Sequence, residues 1–363
     1  MKITFCLPAP VIRASGGHKV VYEYANHLIK KNHEVCIAYD CSNAFSHKKI
    51  FSKIMHANNT ITLFYYEHIY KKIRNWFLLD KNIKEIFCVN GVKDNLIENS
   101  DIVVATAVET AKPVAALSED KGRKIYLVQG VENWQVNEVD LKNTYNLPFE
   151  CILVVSKGIE KYIKEFTNTT IYRIPNGINL NDFYVKNPIH ERYPLSVAML
   201  YHKLECKGST DGIKVLCELK NVIPDLKVSM FGVYKRPKDL PSWIQYTRNA
   251  TKEDLLKIYN ESAVFLCPSI EEGFGLTSIE SMACGCALVT SDNLGAEEFA
   301  VHYNNAIVFQ KGNVEDMKNC LLEILENNAL RIQIAIAGNS TVQIYDWDTS
   351  TYKFEKIMKE IIK

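Results

Sequence analysis

The segment 269–280 reads SIEEGFGLTSIE, in which Glu272 and Glu280 flank a glycine-rich turn. An apolar run with the pattern of a buried strand precedes the turn, and apolar residues at helical spacing follow it. A helix N-terminus entered through glycines presents backbone N–H groups and the positive end of the helix dipole, which suits a phosphate. Glu280, one turn into the helix, would accept hydrogen bonds from the ribose of the same nucleotide. The predicted phosphate-binding residues of the turn are Gly273, Phe274, Gly275, Leu276 and Thr277.

The same residues also have an ordinary structural interpretation. Thr277 and Glu280 have the spacing of a capping box, which closes a helix N-terminus without any ligand. In that case Gly273 and Gly275 would only shape the loop, and Glu272 would be a solvated loop acid. The rest of the chain bears on the choice between these two alternatives.

The two glutamates around Gly-Phe-Gly resemble the signature of retaining glycosyltransferases of the GT-B fold, family four (glycosyl transferases group 1). The similarity continues through residues 281–298, SMACGCALVTSDNLGAEE, where Leu294 replaces the first glycine of the family's D-x-G-G-x-x-E turn. Each motif is weak alone, but all follow the family's order across nearly the whole chain. The further landmarks are Gly16-Gly17, Pro175-Asn176-Gly177-Ile178-Asn179 and Lys207-Gly208.

The resemblance implies an α/β chain of the GT-B fold, with two facing Rossmann-like domains, a cleft between them and a C-terminal helix that returns to the first domain. Alternating strand and helix patterns in both halves agree with this architecture. We place an acceptor domain at 1–183, a linker at 184–194 and a nucleotide-sugar donor domain at 195–348. The linker is polar and contains two prolines. Residues from about 349 to 363 would pack back onto the first domain.

By the same resemblance, Glu272 contacts the transferred sugar near the reacting carbon, and Lys207 neutralises the departing diphosphate. These two are the predicted catalytic residues. Members of the family pair this lysine with an arginine a few residues earlier, but the stretch 201–206, YHKLEC, contains none. Either Lys203 takes that role in binding the donor, or the site relies on one cation and the helix N-terminus.

The first domain contributes glycines and two polar residues to the predicted site. Gly16 and Gly17 would let the backbone approach the donor phosphate or the acceptor at the first strand-to-helix turn, although many such turns are merely tight. Many relatives carry a histidine where this chain has Gln129, and Glu132 follows shortly after. We assign both to acceptor or donor hydroxyls. Because the departing phosphate can take the acceptor's proton in a front-face attack, no enzyme base is required.

Composition limits the partners and the compartment. Lys plus Arg number 43 and Asp plus Glu 42, so the chain has almost no net positive charge that would attract a nucleic acid. The longest apolar stretches are far shorter than the roughly 20 residues of a spanning helix. The N-terminal residues read as a strand and turn rather than a signal peptide. The eleven cysteines form no C-x-x-C pair, which fits a reducing compartment. We therefore expect a cytoplasmic protein.

No motif predicts a metal or a cofactor. The nine histidines show no ligand spacing. Asp346-Trp347-Asp348 has the D-x-D form of metal-binding transferases, but it precedes the terminal helix, where capping is the expected role. The absence of G-x-G-x-x-G argues against a dinucleotide enzyme. The expectation is a metal-independent enzyme whose nucleotide diphosphate sugar is a substrate.

Residues 65–87 mix basic and aromatic side chains, and two interpretations remain open. The segment could lie on an anionic membrane, which would place the protein peripherally at the inner face. Alternatively, it is a helix that packs on the sheet with Lys71, Lys72 and Arg74 in solvent.

The resemblance leads to one functional prediction and two alternatives. The prediction is transfer of a hexose or deoxyhexose from a nucleotide diphosphate sugar to a saccharide or lipid-linked acceptor, in surface polysaccharide or glycan assembly. Because the expected arginine and histidine are missing, a catalytically silent sugar-nucleotide or glycan-binding partner of a transferase is the alternative. A sugar-nucleotide epimerase on the same fold is the third interpretation.

Overall fold

A computed structural model describes residues 1–42 and 59–363, and these residues divide into two α/β units. Unit 1 comprises Met1–Val155, Ile159–Ile174 and Trp347–Lys363, and unit 2 comprises Ser156–Gly158 and Pro175–Asp346. Each unit is built on one parallel sheet.

The sheet of unit 1 has the strand order β3-β2-β1-β4-β5-β6-β7. The order reverses between β1 and β4, and in doubly wound sheets ligands bind at the carboxyl ends of strands near such a reversal. The central strands are apolar on both faces because helices cover both sides. The strands are β1 (Lys2–Leu7), β2 (Glu34–Asp40), β3 (Lys84–Cys88), β4 (Ile102–Ala105), β5 (Arg123–Val128), β6 (Cys151–Val154) and β7 (Ile171–Arg173).

The helices that follow these strands cover the sheet of unit 1. Helix Gly16–Lys30 buries Val20, Tyr24 and Leu28, as the predicted apolar stripe requires. The other helices from Asn59 onward are Asn59–Phe64, Lys71–Ile73, Val108–Ala115, Glu138–Thr144 and Lys157–Lys164. The terminal helix Trp347–Ile361 also belongs to unit 1, as predicted. Its Phe354 lies between the rings of Phe5 and Tyr24, at 5.8 and 5.2 Å.

The sheet of unit 2 has the order β10-β9-β8-β11-β12-β13, with the same reversal between β8 and β11. Its strands are β8 (Ser196–Leu200), β9 (Lys227–Gly232), β10 (Gln245–Arg248), β11 (Val264–Cys267), β12 (Ala287–Ser291) and β13 (Ile307–Phe309). Its helices are Ser209–Val222, Lys252–Glu261, Leu276–Ala283, Val314–Glu326 and Asn328–Val342. Both units therefore have Rossmann-like topology, while the facing of the two domains across a cleft stays a prediction.

The predicted linker, residues 184–194, lies within unit 2, and the division between the units falls after Ile174 rather than after residue 183. Arg192 explains the difference. Its side chain is buried, and its guanidinium donates to the carbonyls of Tyr259 and Ser262 at 3.1 Å and to that of Cys284. These carbonyls lie at the C-terminal ends of two helices, where a cation is favourable. The polar segment is thus anchored to unit 2.

Residues 65–87 contain a π-helical turn, Tyr65–Tyr70, and then lead into strand β3. Lys71 and Lys72 are exposed, but the interpretation that places Arg74 in solvent is wrong. The Arg74 side chain is 8% exposed, pairs with Glu85 and lies 5.4 Å from the centre of the Tyr22 ring. Among the described residues, no helix combines the length and the apolar composition that crossing a bilayer requires.

Candidate active site

The glycine-rich turn of unit 2 joins β11 to helix Leu276–Ala283. Gly275 is the N-cap of this helix with φ at 93°, a left-handed conformation that glycine adopts without strain. The turn that contains Gly295 packs directly on the glycine-rich turn, since a Cβ atom on Gly295 would lie 2.8 Å from the backbone of Phe274. The Phe274 ring is buried and packs against Phe299 at 5.8 Å. The backbone of the turn is therefore fixed by close packing before any ligand binds.

The capping-box alternative is wrong, because Gly275 and not Thr277 is the N-cap. Thr277 lies inside the first helical turn and lines a pocket. Glu280 is only 4% exposed and accepts a hydrogen bond from the hydroxyl of Tyr259 at 3.3 Å. The predicted contact of Glu280 with a ribose must therefore be made from a largely buried carboxylate.

The turn that carries Lys207 is fastened to the glycine-rich loop. The carbonyl of Cys206 accepts hydrogen bonds from the backbone N–H groups of Ile270 and Glu271, at 2.8 and 3.1 Å. Gly208 has φ at 60°, and a Cβ atom there would lie 2.1 Å from the carbonyl oxygen of Pro268. A glycine is required at this position, and the two segments hold each other through backbone contacts.

Lys207 and Glu272, the two predicted catalytic residues, form an ion pair. Their Nζ and Oε1 atoms are 2.9 Å apart, and the side chains are 20% and 15% exposed. Lys207 also donates to the carbonyl of Glu271 at 3.2 Å, and Ser269 donates to Oε1 of Glu272 at 3.0 Å. Burial alone lowers the pKa of Lys207, but the charge of Glu272 reverses this and leaves the pKa above its ordinary value. Lys207 is therefore a cation at neutral pH.

This ion pair lies in a small pocket at the carboxyl ends of β8 and β11, beside the strand-order reversal of unit 2. Such an edge is where doubly wound sheets bind ligands. A cation, a carboxylate, two hydroxyls and a helix N-terminus converge there, which suits an anionic group attached to a sugar. The pocket is lined among others by Leu200, Lys207, Cys267, Ser269, Glu272 and Thr277.

Lys203, predicted as the substitute for the missing arginine, is exposed, and its ammonium lies 5.3 Å from the centre of the Tyr234 ring. Its neighbour His202 is half-buried and interacts electrostatically with both Lys207 and Glu272. His202 was not predicted from the sequence, because a neutral imidazole does not match the permanent cation expected in this stretch. Ser269 and Tyr259 were also missed. Ser269 opens the motif itself, whereas nothing in the sequence pairs Tyr259 with Glu280.

In unit 1 the predicted residues Gly17 and Gln129 lie together, Gly17 at the start of helix Gly16–Lys30 and Gln129 directly after strand β5. The side-chain N–H₂ of Gln129 donates to the carbonyls of Gly17 and Thr106, both at 3.3 Å. Its Oε1 atom is buried and has no hydrogen-bond partner among the described residues. A buried oxygen of this kind favours a ligand that donates a hydrogen bond, such as a hydroxyl.

Gly16 and Gly17 are the first two residues of helix Gly16–Lys30, whereas the prediction placed them in the turn between the first strand and this helix. A Cβ atom on Gly17 would meet the Gln129 amide at 3.6 Å, an ordinary contact. The fold itself therefore has room for a larger residue at Gly17. Their predicted contact with a ligand stays a prediction.

Glu132 is half-buried, and its Oε2 accepts a hydrogen bond of 2.6 Å from the backbone N–H of Val108. Burial raises the pKa of Glu132 to about 7, although the hydrogen bond from Val108 opposes the rise. The carboxyl therefore exchanges its proton near neutral pH. It can donate to or accept from a sugar hydroxyl, in agreement with its predicted place among the residues that contact acceptor or donor.

No cluster of three or more His, Cys, Asp or Glu side chains suited to a metal ion is present in residues 1–42 and 59–363. Asp346 directly precedes helix Trp347–Ile361, and Asp348 lies in its first turn. This is the position in which we predicted a capping role for the D-x-D triplet. The residues that would bind a nucleotide here are a lysine, backbone amides and hydroxyls.

Comparison with known proteins agrees with this geometry. Residues 195–341 match the model of a protein family described as glycosyl transferases group 1. An uncharacterized glycosyltransferase of Methanocaldococcus jannaschii is 24% identical over 220 residues, which cover 58% of this chain and 59% of that protein. The serotype-specific mannosyltransferase WbdA of Escherichia coli is 21% identical over 289 residues, 76% of this chain and 30% of WbdA. The chain thus spans less than two thirds of the length of either relative.

A solved structure shows the same fold over almost the full chain. Anabaena HepE in complex with UDP superposes with a TM-score of 0.73 at 13% identity, covering 99% of this chain and 100% of HepE. At that identity the likeness concerns the fold alone. The prediction of an α/β GT-B fold with two Rossmann-like domains is confirmed.

The raised pKa of Glu132 gives a test of stability against pH. Because folding raises this pKa from 4.5 to about 7, the folded protein retains a proton that the unfolded chain loses. As the pH rises from 4.5 to about 7, the free energy of unfolding of the wild type should therefore fall by about 1–3 kcal/mol relative to that of Glu132→Gln. Urea unfolding of both proteins at the two ends of the interval measures this. The exposed Glu119→Gln serves as control, and a difference that does not change with pH would refute the burial of Glu132.

Proposed function

We propose that the chain, whose residues 195–341 match the family model described as glycosyl transferases group 1, is a retaining glycosyltransferase of that group. The donor is a nucleotide diphosphate sugar carrying a hexose or deoxyhexose, and the acceptor is a saccharide or lipid-linked saccharide of surface polysaccharide or glycan assembly. The observation that carries this proposal is the Lys207–Glu272 pair beside the helix N-terminus opened by Gly275. Two comparisons support it: WbdA is a mannosyltransferase, and the HepE structure holds UDP.

In the proposed reaction the bond between the anomeric carbon and the phosphate oxygen breaks, and its electron pair stays on the phosphate. Lys207 and the N–H groups of residues 274–277 stabilise the charge that develops there. The acceptor hydroxyl oxygen forms the new bond to the same face of the anomeric carbon. Its proton passes to the departing phosphate oxygen, so that no enzyme base takes part.

Two carboxylates of unit 2 orient the donor in this proposal. Glu272 contacts the transferred sugar and is held by Ser269 while Lys207 turns to the phosphate. Glu280 accepts from the ribose hydroxyls and is supported by the Tyr259 hydroxyl. A carboxylate accepts stronger hydrogen bonds than a neutral group, which suits a polyhydroxy ligand.

Residues of unit 1 are proposed to contact hydroxyl groups of the acceptor or the donor. The unpartnered oxygen of Gln129 accepts from one hydroxyl, and Glu132 donates to or accepts from another. Gly16 and Gly17 leave the start of their helix open to a close ligand. Gln129 would replace the histidine of many relatives as a hydrogen-bonding group and not as a base.

Charge neutralisation by lysine and a helix N-terminus makes the proposed reaction independent of metals and cofactors. The test is a thermal-shift screen with nucleotide diphosphates and their sugars, followed by a transfer assay with saccharide acceptors in the presence of EDTA. Since a ligand that binds the folded state raises its stability, the matching nucleotide should raise the melting temperature. Transfer should continue undiminished in EDTA, because no ion bridges the diphosphate.

Each other interpretation predicts a different result in the same assay. Loss of turnover in EDTA with recovery on adding a divalent ion would contradict the role of Lys207. Donor binding without any turnover would favour the silent binding partner. Release of nucleotide without a glycoside product would favour an epimerase.

We also propose peripheral contact of this otherwise cytoplasmic protein with an anionic membrane, through the exposed side chains before strand β3. Ile69 and Ile73 are 43% and 42% exposed, and the exposed Lys71 and Lys72 lie between them in sequence. Apolar side chains with adjacent lysines favour the interface of an anionic bilayer. Sedimentation with vesicles that contain anionic lipid should carry the protein down, and Ile69→Ser with Ile73→Ser should leave it in the supernatant. Equal sedimentation with neutral vesicles would contradict the electrostatic part.

A further inference from the structure

His202 occupies a fixed position beside the Lys207 turn. Its backbone N–H donates to the hydroxyl of Ser209 at 2.9 Å, which ties residue 202 to the start of the helix that follows Lys207. Its ring stands edge-on to the Tyr234 ring, with centroids 5.2 Å apart and an interplanar angle of 77°. The first contact fixes the backbone of residue 202, and the second packs its imidazole against Tyr234.

The hydrogen bonds of His202 determine which ring nitrogen carries the hydrogen. The backbone N–H of Leu204 donates to Nδ1 at 3.1 Å, so Nδ1 is the acceptor. The hydrogen of the neutral ring is therefore on Nε2. Nε2 lies 3.4 Å from the hydroxyl of Tyr234, near the upper limit for a hydrogen bond. This weak contact can be exchanged for a stronger acceptor.

The charges around His202 favour the neutral ring. Burial lowers the pKa of His202, the ammonium of Lys207 lowers it further, and the carboxylate of Glu272 opposes both. The imidazole is thus a neutral hydrogen-bond donor close to an ion pair that we place at the diphosphate. A neutral donor does not repel Lys207, so the two groups can approach the same anion.

We propose that His202 is a donor-binding residue that gives its Nε2–H to the distal phosphate of the bound nucleotide, alongside Lys207. This inference rests on the proposed function and deepens it, because it assigns the second phosphate contact of the site. Tyr234 holds the ring and provides its hydroxyl as a partner when no phosphate is bound. The competing assignment is Lys203, whose ammonium lies 5.3 Å from the centre of the Tyr234 ring.

The test compares nucleoside diphosphates with the matching monophosphates. Calorimetry with UDP, GDP, ADP, CDP and dTDP, and with the matching monophosphates, on the full chain identifies the nucleotide that the wild type binds. His202→Ala should then lose about tenfold or more in affinity for the diphosphate, since a hydrogen bond to a charged acceptor is lost. The monophosphate, which lacks the distal phosphate, should bind within about twofold of wild type. A residue that only supports the fold would weaken both ligands equally.

Two further variants keep the result interpretable. His202→Gln places an amide N–H near the position of Nε2 and should retain most of the diphosphate affinity. His190→Ala removes an exposed histidine of the same unit and is the matched control. Circular dichroism and melting temperature confirm folding of each variant.

Several outcomes would overturn the inference. Unchanged diphosphate affinity in His202→Ala, with nucleotide binding by the wild type, removes His202 and leaves the proposed function standing. A loss confined to Lys203→Ala transfers the role to Lys203. If the wild type binds none of the five nucleoside diphosphates, the proposed function fails and this inference fails with it.

Discussion

The ion pair between Lys207 and Glu272 is the interaction around which unit 2 is arranged. Both side chains are mostly buried, and bringing two charges out of water is unfavourable unless further polar contacts compensate. The hydroxyl of Ser269 and the carbonyl of Glu271 supply those contacts. The left-handed Gly208 and the carbonyl of Cys206, which accepts two backbone hydrogen bonds, hold the turn that carries Lys207 against the glycine-rich loop. The left-handed conformation of Gly208 and its close approach to Pro268 therefore serve to position this pair of charges.

Such a pair suits a site whose ligand brings its own negative charge. A diphosphate offers Lys207 more negative charge than Glu272 does, while the hydroxyls of the sugar offer Glu272 replacement donors. In the proposed complex with the donor, this exchange of partners would keep both buried charges compensated in the free and the bound states. The helix N-terminus at Gly275 adds a fixed positive dipole that requires no side-chain rearrangement when the leaving group develops charge.

Most of the fold could be predicted from the sequence, because the central strands are apolar runs and the glycine turn has a motif of its own. Strands β3 and β10, KEIFC and QYTR, were missed since edge strands carry polar residues and lack that run. The burial of Arg74 and Arg192 could not be predicted, because their partners are distant carboxylate and carbonyl oxygens. For the candidate site, Lys207 and Glu272 were selected by the resemblance to the family's motifs, because their residue types alone fit solvated turn and loop positions equally well. His202 required the geometry, since its hydrogen bonds decide what it can donate.

The affinity of Glu272→Gln for nucleoside diphosphates tests the exchange of partners most directly. Because this variant frees Lys207 in the unliganded protein, it should bind the diphosphate at least as tightly as wild type, while glycosyl transfer falls by about 10²–10³. Lys207→Ala should lose both binding and transfer, and the exposed loop variant Glu297→Gln should lose neither. Titration calorimetry and steady-state transfer rates measure the two quantities. If Glu272→Gln weakens diphosphate binding as much as Lys207→Ala does, the pair acts as one structural unit and the exchange does not occur.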